Sequence, residues 1–537
     1  MRVDGATVTK RGDLIWIADL PSHWAAKFPS KPAMICEGRS VTYEDFDRGA
    51  ERLCALWRDA GYQPGDRIGY LGRNSELFYF VFLACARGGF VLTPYNWRYA
   101  APELQFALED SRPRLLLCDR ELTALAQKAI APLESKPDFT LIDGDAPSVR
   151  AMIEGPPIPQ PRRAYAFDDP FLQIYTSGTT GRPKGAVLSH GAMSFARLSY
   201  AETPQWENWL SSDVALSAMP SFHTAGIGFC LLTLTVGGTV VQTADPSPAN
   251  LIKLSNQYHV NRIFMVPTII RMVLEEIEAS GVPAPKYDAV LYGASPIGAL
   301  QAKAIAAFGC RFTQFYGMTE ASGSTHVLGP DDHDPARPEP LKSVGRPMAD
   351  ISMEIRRPDG GLCAMREPGE IWIKSPMMMS GYANRPAETA AALVDGWYRT
   401  GDGGFTDEGG YLYLTDRLKE MIISGGENVY PIEVENALRA HPAVQDCAVV
   451  GTIDPKWGEA VTAALEFKPG ASASFAELRA FVRERLAGFK CPQMIFIADA
   501  LPRTPTGKRQ RGVAKTMLSE FTLLGSSASD LSAKQAS

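Results

Sequence analysis

Residues 175–190 read YTSGTTGRPKGAVLSH. Thr176, Ser177, Thr179 and Thr180 supply hydroxyls, Gly178 and Gly181 let the backbone turn close to a ligand, and Lys184 adds a point charge. Hydroxyls and exposed N–H groups in such a turn can donate to phosphate oxygens. The stretch differs from the common P-loop, because Lys184 is followed by Gly185 rather than Ser or Thr. On residue types alone, a phosphate cradle and a flexible surface loop both fit.

The elements around this loop alternate. Ala33–Glu37, Arg67–Leu71 and Arg114–Cys118 read as strands. Thr42–Ala60 reads as a helix, with Thr42 and Asp45 at capping spacing and Gly61 as its stop. Glu76–Arg87 and Pro102–Glu109 read as helices, and the loop itself follows the apolar run Phe171–Tyr175. Such alternation predicts an α/β sheet. After about residue 400 the texture changes. Tyr411–Leu414, Cys447–Gly451, Val461–Phe467 and Met494–Ile497 read as strands, and Pro431–Arg439 and Phe475–Leu486 as helices. The predicted fold class is α/β: a large multi-layer N-terminal α/β domain (1–415), a linker (416–420), a smaller α+β C-terminal domain (421–525) and a flexible tail (526–537).

Composition sets the outer bounds. The chain has 537 residues, enough for more than one domain, with 45% hydrophobic and 21% charged residues. That excludes a disordered, collagen-like or coiled-coil chain. Lys and Arg total 54 against 60 Asp and Glu, a net charge of −6, so no basic excess points to nucleic acid. The nine cysteines are scattered, with no Cys-x-x-Cys pair, which argues against a zinc ribbon or disulfide framework and for a reducing cytoplasm. Asp4, Lys10, Arg11 and Asp13 interrupt any signal-peptide core. The longest stretch without a formal charge, Val214–Ala244, contains Pro220, His223 and several glycines and reads as buried core rather than a membrane span.

Further strings appear in order: Tyr292–Ser295 (YGAS), Gln314–Glu320 (QFYGMTE), Tyr398–Asp402 (YRTGD), Asp416–Glu435 (DRLKEMIISGGENVYPIEVE) and Pro502–Lys508 (PRTPTGK). Together with the 175–190 loop they resemble the motifs of the adenylate-forming superfamily, which includes acyl- and aryl-CoA ligases, peptide-synthetase adenylation domains and firefly luciferase. The resemblance spans residues 175 to 508. Members activate a carboxylate with ATP to an acyl-adenylate, releasing pyrophosphate, and many pass the acyl group to coenzyme A.

The resemblance implies a role for each motif. Thr176, Ser177, Gly178, Thr179, Thr180, Gly181 and Lys184 would hold the β- and γ-phosphates, with Thr319 also on phosphate. Glu320 would help place Mg²⁺, a hard ion that prefers oxygen ligands. Tyr316 would stack on adenine, although a core tyrosine fits the residue type equally well. Gly293, Ala294, Ser295, Gln314 and Gly317 would line the nucleotide pocket. Asp402 would accept from the ribose hydroxyls, and Arg417 would lie near ribose or phosphate. Lys508, in the Pro- and Gly-rich TPTGK loop, would bridge the α-phosphate and the substrate carboxylate. Lys419 aligns with the hinge about which the small domain turns between half-reactions, bringing Ser424, Gly425 and Gly426 to the pantetheine arm.

His223 follows the Phe of MPSFHTAGIG, where amino-acid-activating relatives usually carry an Asp that pairs with the α-ammonium. An unpaired buried ammonium is costly, so amino acids are disfavoured. His223 is expected to wall or gate the acyl channel, and a core histidine held by backbone hydrogen bonds fits the side chain as well. Ala225, Gly226, Val266, Gly317, Met318 and the 226–236 segment would line the channel. The reaction expected is ATP-dependent ligation of a medium- or long-chain fatty acid to coenzyme A. An aryl or cinnamate-like acid and a carrier-loading adenylation protein are the alternatives. The expected partners are the acid, ATP and CoA, without nucleic acid or an integral membrane segment. Peripheral membrane contact and a homodimer stay open.

Overall fold

The computed structural model describes residues 16–526 apart from 146, 162, 177–182, 207, 294–296, 298–299, 335, 418–419, 421, 425–426, 455–456, 487 and 505–508, together with 2–3 and 6–7. The chain is a mixed α/β protein with a large N-terminal part and a smaller C-terminal part. Its compact units are Met1–Met353 with Ile373–Tyr398, and Glu354–Trp372 with Arg399–Ser537. The linker expected at 416–420 falls inside the second unit by this division, and Leu418 and Lys419 lie outside the described residues.

Among the described residues the first unit contains two large sheets. One runs Gly381–Tyr382, Lys184–Ser189, Pro170–Thr176, Val91–Pro94, Arg67–Leu71, Leu115–Cys118, Asp138–Leu141. The other runs Arg346–Pro347, Gly323–Leu328, Arg311–Met318, Ala289–Gly293, Arg262–Phe264, Val214–Ser217, Thr239–Gln242, Pro32–Cys36, Arg39–Thr42. Six central strands of the second sheet are parallel. Their carboxyl ends therefore emerge on one edge, the usual side for a ligand in such sheets. Helix Glu76–Gly88 (ELFYFVFLACARG) is buried nearly all round, as a helix apolar on every face must be.

The Thr42–Asp45 capping box is present at the head of helix Tyr43–Asp59. The strand expected at Ala33–Glu37 is Pro32–Cys36, one residue earlier. Glu37 and Gly38 have φ of 47° and 78°, so the chain turns there into Arg39–Thr42. The uncharged stretch 214–244 folds as strand, helix Thr224–Thr235 and strand. No helix among the described residues is long and apolar enough to cross a membrane.

The second unit packs helices Pro431–Arg439 and Phe475–Arg483 against a sheet centred on the long hairpin Val444–Asp454 and Gly458–Phe467. Val434, Leu438, Leu478, Val482, Val461 and Ile495 form its core.

Three histidines of the first unit are buried: His190, His326 and His333. Burial lowers their pKa to about 4, about 3 and about 4. An unfolded imidazole takes up its proton near pH 6.5, so unfolding binds protons between about pH 6.5 and 4. The stability these residues allow is complete above about 6.5 and is lost as pH falls through that window. His190 stacks on Tyr165 at 4.8 Å and packs against Phe171. His190→Phe should keep the stacking and remove one of these protons. Urea midpoints measured from pH 7 to 5 should fall less steeply in the variant, and an unchanged slope would contradict this.

Candidate active site

Four segments leave the carboxyl edge of the parallel sheet: Ser217 into MPSFH, Phe264 into Val266, Gly293 into the residues that follow it, and Met318 into the turn Thr319–Ala321. Each is a stretch the sequence singled out. Parallel strand direction alone thus gathers residues more than 90 positions apart.

Glu320 is the best-fixed carboxylate here, 8% exposed. Its Oε1 accepts from the Tyr382 hydroxyl at 2.9 Å, and its carbonyl accepts from Met379 N at 2.7 Å. Tyr382 belongs to a short strand paired with Lys184–Ser189, with Val187 opposite Gly381. Lys184 Nζ lies 5.1 Å from the centre of the Tyr382 ring. One tyrosine thus touches both the cation at the end of the hydroxyl-rich loop and the acid of the MTE turn. The sequence reading missed Tyr382. Its one local signal was the Gly381–Tyr382 pair after a methionine run.

Strands Pro170–Thr176 and Lys184–Ser189 form an antiparallel hairpin with Thr176 opposite Lys184. Both described anchors of the expected phosphate cradle are therefore cross-strand partners. Ser177, Gly178, Thr179, Thr180 and Gly181 lie outside the described residues, as do Ala294 and Ser295. Thr319 Oγ1 lies 3.4 Å from Thr224 Oγ1, at the start of helix Thr224–Thr235. A helix N-terminus carries partial positive charge, which suits an anion here.

Gly293 ends its strand opposite Phe315. Gln314 is buried and turned inward, with its side chain on the Tyr292 hydroxyl at 3.0 Å, so it supports the wall. Tyr292 also meets His333 Nε2 at 3.0 Å, and His333 Nδ1 lies 2.8 Å from Gly329 O. Tyr316 is half-buried, its ring 5.5 Å from His326. Gly317 is required by crowding, since a Cβ there would stand 2.1 Å from Gly323 O.

His223 stands just before the 224–235 helix, its ring 4.6 Å from Phe222. Burial, then the Arg98 charge, lowers its pKa to about 4, so the ring is neutral near pH 7. Ala225 is exposed, Val266 is buried and Met318 is half-buried. Gly226 does not widen a channel: a Cβ would meet Pro220 O at 2.4 Å, so its smallness lets the helix start against the 219–220 backbone. Phe229, Phe264 and Phe315 form a ring cluster behind these strands, with spacings of 5.9 and 6.3 Å.

In the second unit, Asp402–Thr406 pairs with Leu412–Arg417 so that Asp402 faces Arg417 in the register. Ser424 is buried in hairpin Ile422–Ser424 and Glu427–Val429. Gly425, Gly426, Lys419 and Lys508 lie outside the described residues.

A hard cation would find one fixed carboxylate at Glu320, and no group of three or more acidic, His or Cys ligands occurs among the described residues. A single carboxylate fits Mg²⁺, which keeps several waters and takes phosphate oxygens beside one or two carboxylates.

Residues 21–383 match the AMP-binding enzyme family and residues 433–508 its C-terminal domain. The chain is 36% identical to a fatty acid–[acyl-carrier-protein] ligase of Streptomyces coeruleorubidus, over 89% of this chain and 92% of that one. It is 37% identical to a feruloyl-CoA synthase of an Amycolatopsis species, over 92% and 97%. Among solved structures it resembles o-succinylbenzoate coenzyme A synthetase of Bacillus subtilis in complex with its acyl-adenylate intermediate, with TM-score 0.80 and 30% identity, covering 93% of this chain and 98% of that one.

Proposed function

The chain belongs to the AMP-binding enzyme family of adenylate-forming enzymes, and we propose that it ligates a medium- or long-chain fatty acid to coenzyme A in the cytoplasm. The reaction is ATP + carboxylate + CoA → acyl-CoA + AMP + pyrophosphate. The observation that carries this reading is the Lys184–Tyr382–Glu320 cluster beside Thr319 and the 224–235 helix start. A cation, hydroxyls and a buried carboxylate close together support a site for a polyphosphate and its cation.

Chemistry at the α-phosphorus is an electrostatic problem, because carboxylate and triphosphate repel. Thr176–Gly181, Lys184 and Thr319 hold the β- and γ-phosphates. Glu320 would hold Mg²⁺, which would supply charge neutralisation at the phosphates. Tyr316, Gly293–Ser295 and Gly317 enclose adenine, with Gln314 behind them, and Asp402 and Arg417 take the ribose. Lys508 bridges the α-phosphate and the attacking carboxylate. The domain then turns about Lys419, and Ser424, Gly425 and Gly426 admit the pantetheine arm so that its thiolate displaces AMP.

Neutral His223 suits an uncharged acyl chain and offers no counter-charge to an α-ammonium. Two other readings have their own support. The feruloyl-CoA synthase relative favours an aryl acid. The acyl-carrier-protein ligase relative favours loading of a carrier. Pyrophosphate release across fatty, aryl and amino acids, with CoA, with a carrier protein and with neither, separates the three. CoA-dependent turnover on fatty acids supports the proposal, and stimulation by the carrier alone overturns it.

Glu320→Gln should lower adenylation by roughly 10–100-fold, the scale of losing a contact to a charged group. It should also raise the Mg²⁺ concentration at half-maximal rate. Magnesium titration of pyrophosphate exchange reads both, and an unchanged titration would remove Glu320 from the cation site.

A further inference from the structure

Glu435 closes the long motif that begins at Asp416, and no role in nucleotide or thiol binding falls to it. It lies on helix Pro431–Arg439 beside Val434 and Leu438, and it is fully buried. A buried carboxylate needs partners, and this one is saturated. Arg511 grips it as a fork, Nε to Oε1 at 2.6 Å and Nη2 to Oε2 at 2.8 Å. Arg509 Nη1 reaches Oε2 at 3.0 Å, and Val449 N donates to Oε1 at 3.0 Å.

Both arginines stand just past Lys508. Arg509 is its chain neighbour, and the Arg509 backbone forms an antiparallel bridge with Arg503. Asp446 pairs with Arg503 and lies 3.3 Å from Arg509 Nη1. The chain on either side of residues 505–508 is thus held by carboxylates of one compact unit, Arg503 by Asp446 and Arg509 by Glu435 and Asp446. The other arm of Arg511 reaches Glu420 Oε2 at 2.6 Å, and Glu420 follows Lys419.

We propose that Glu435 is a positioning residue for Lys508, clamping through Arg509 and Arg511 the base of the lysine loop to the helix core and to Glu420 beside the hinge. The inference rests on the reading of Lys508 as the adenylation lysine and of Lys419 as the hinge.

The test measures both half-reactions in the full-length enzyme. Glu435→Gln should lower kcat for adenylation about 10–30-fold, leave the KM for ATP within about twofold, and leave thioester formation from supplied acyl-adenylate within about twofold. In a Lys508→Ala background the same change should add no further loss, because a residue acting through Lys508 has nothing left to position. Equal loss of both half-reactions, or losses that multiply in the double variant, would make Glu435 merely structural. Should Glu435→Gln not fold, Glu420→Gln serves, since that pair is partly exposed and its loss leaves the buried grip intact. It should lower adenylation about 2–5-fold and be silent in the Lys508→Ala background. Multiplying losses there would overturn the proposal. If Lys508→Ala alone leaves adenylation unchanged, the reading of Lys508 fails instead, and the two failures are distinct.

Discussion

Lys508→Ala is expected to slow acyl-adenylate formation by roughly 10²–10³-fold, the scale of removing one preorganised donor from a transition state. As carboxylate oxygen approaches the α-phosphorus, two anions are forced together and charge builds on the phosphoryl oxygens. A single ammonium between them offsets both at once, whereas Lys184 lies opposite Thr176 in its hairpin, over the Tyr382 ring. The loss should fall on kcat more than on the KM for ATP, because ground-state binding of the phosphates rests on the 176–184 loop. Thioester formation from supplied acyl-adenylate should survive, since the phosphate bond is already made. Comparing pyrophosphate exchange with CoA-dependent consumption of the adenylate checks this. Equal loss of both steps would remove the assumption that Lys508 serves one half-reaction only.

The parts of the site legible in the sequence are those written in short strings. The capping box at Thr42, the strand Arg67–Leu71, the helix Pro431–Arg439 and the strand Met494–Ile497 are local features, and the structure has them at those positions. What escaped depends on distance along the chain. Tyr382 matters only because its hydroxyl reaches Glu320, 62 residues away, and its ring faces Lys184. No periodicity announces such a contact. Asp416 and Arg417 looked like linker because charge and turn residues surround them, yet backbone pairing with Gly403 and Asp402 draws them into a strand. Gly226 looked like room for a substrate, but it is room for Pro220 O. A glycine in a motif says that something comes close, and only the fold says whether that is ligand or backbone.

Lys419→Pro should produce the opposite partition to Lys508→Ala. Proline fixes φ near −65° and removes an N–H, so a residue that must visit two backbone conformations is confined to one. The excluded state is disfavoured by about 3 kcal/mol, or roughly 10² in population. If the retained geometry is the adenylating one, acyl-adenylate forms at nearly the normal rate and accumulates, while thioester formation falls about 10²-fold. Lys419→Ala keeps backbone freedom and should leave both steps close to wild type, which separates a hinge from a side-chain role. Single-turnover assays with labelled acid follow the adenylate and thioester together. A normal thioester rate in the proline variant would move the hinge away from 419. The boundary between the compact units at Tyr398–Arg399 would be the next place to look, because few contacts cross where compact units part.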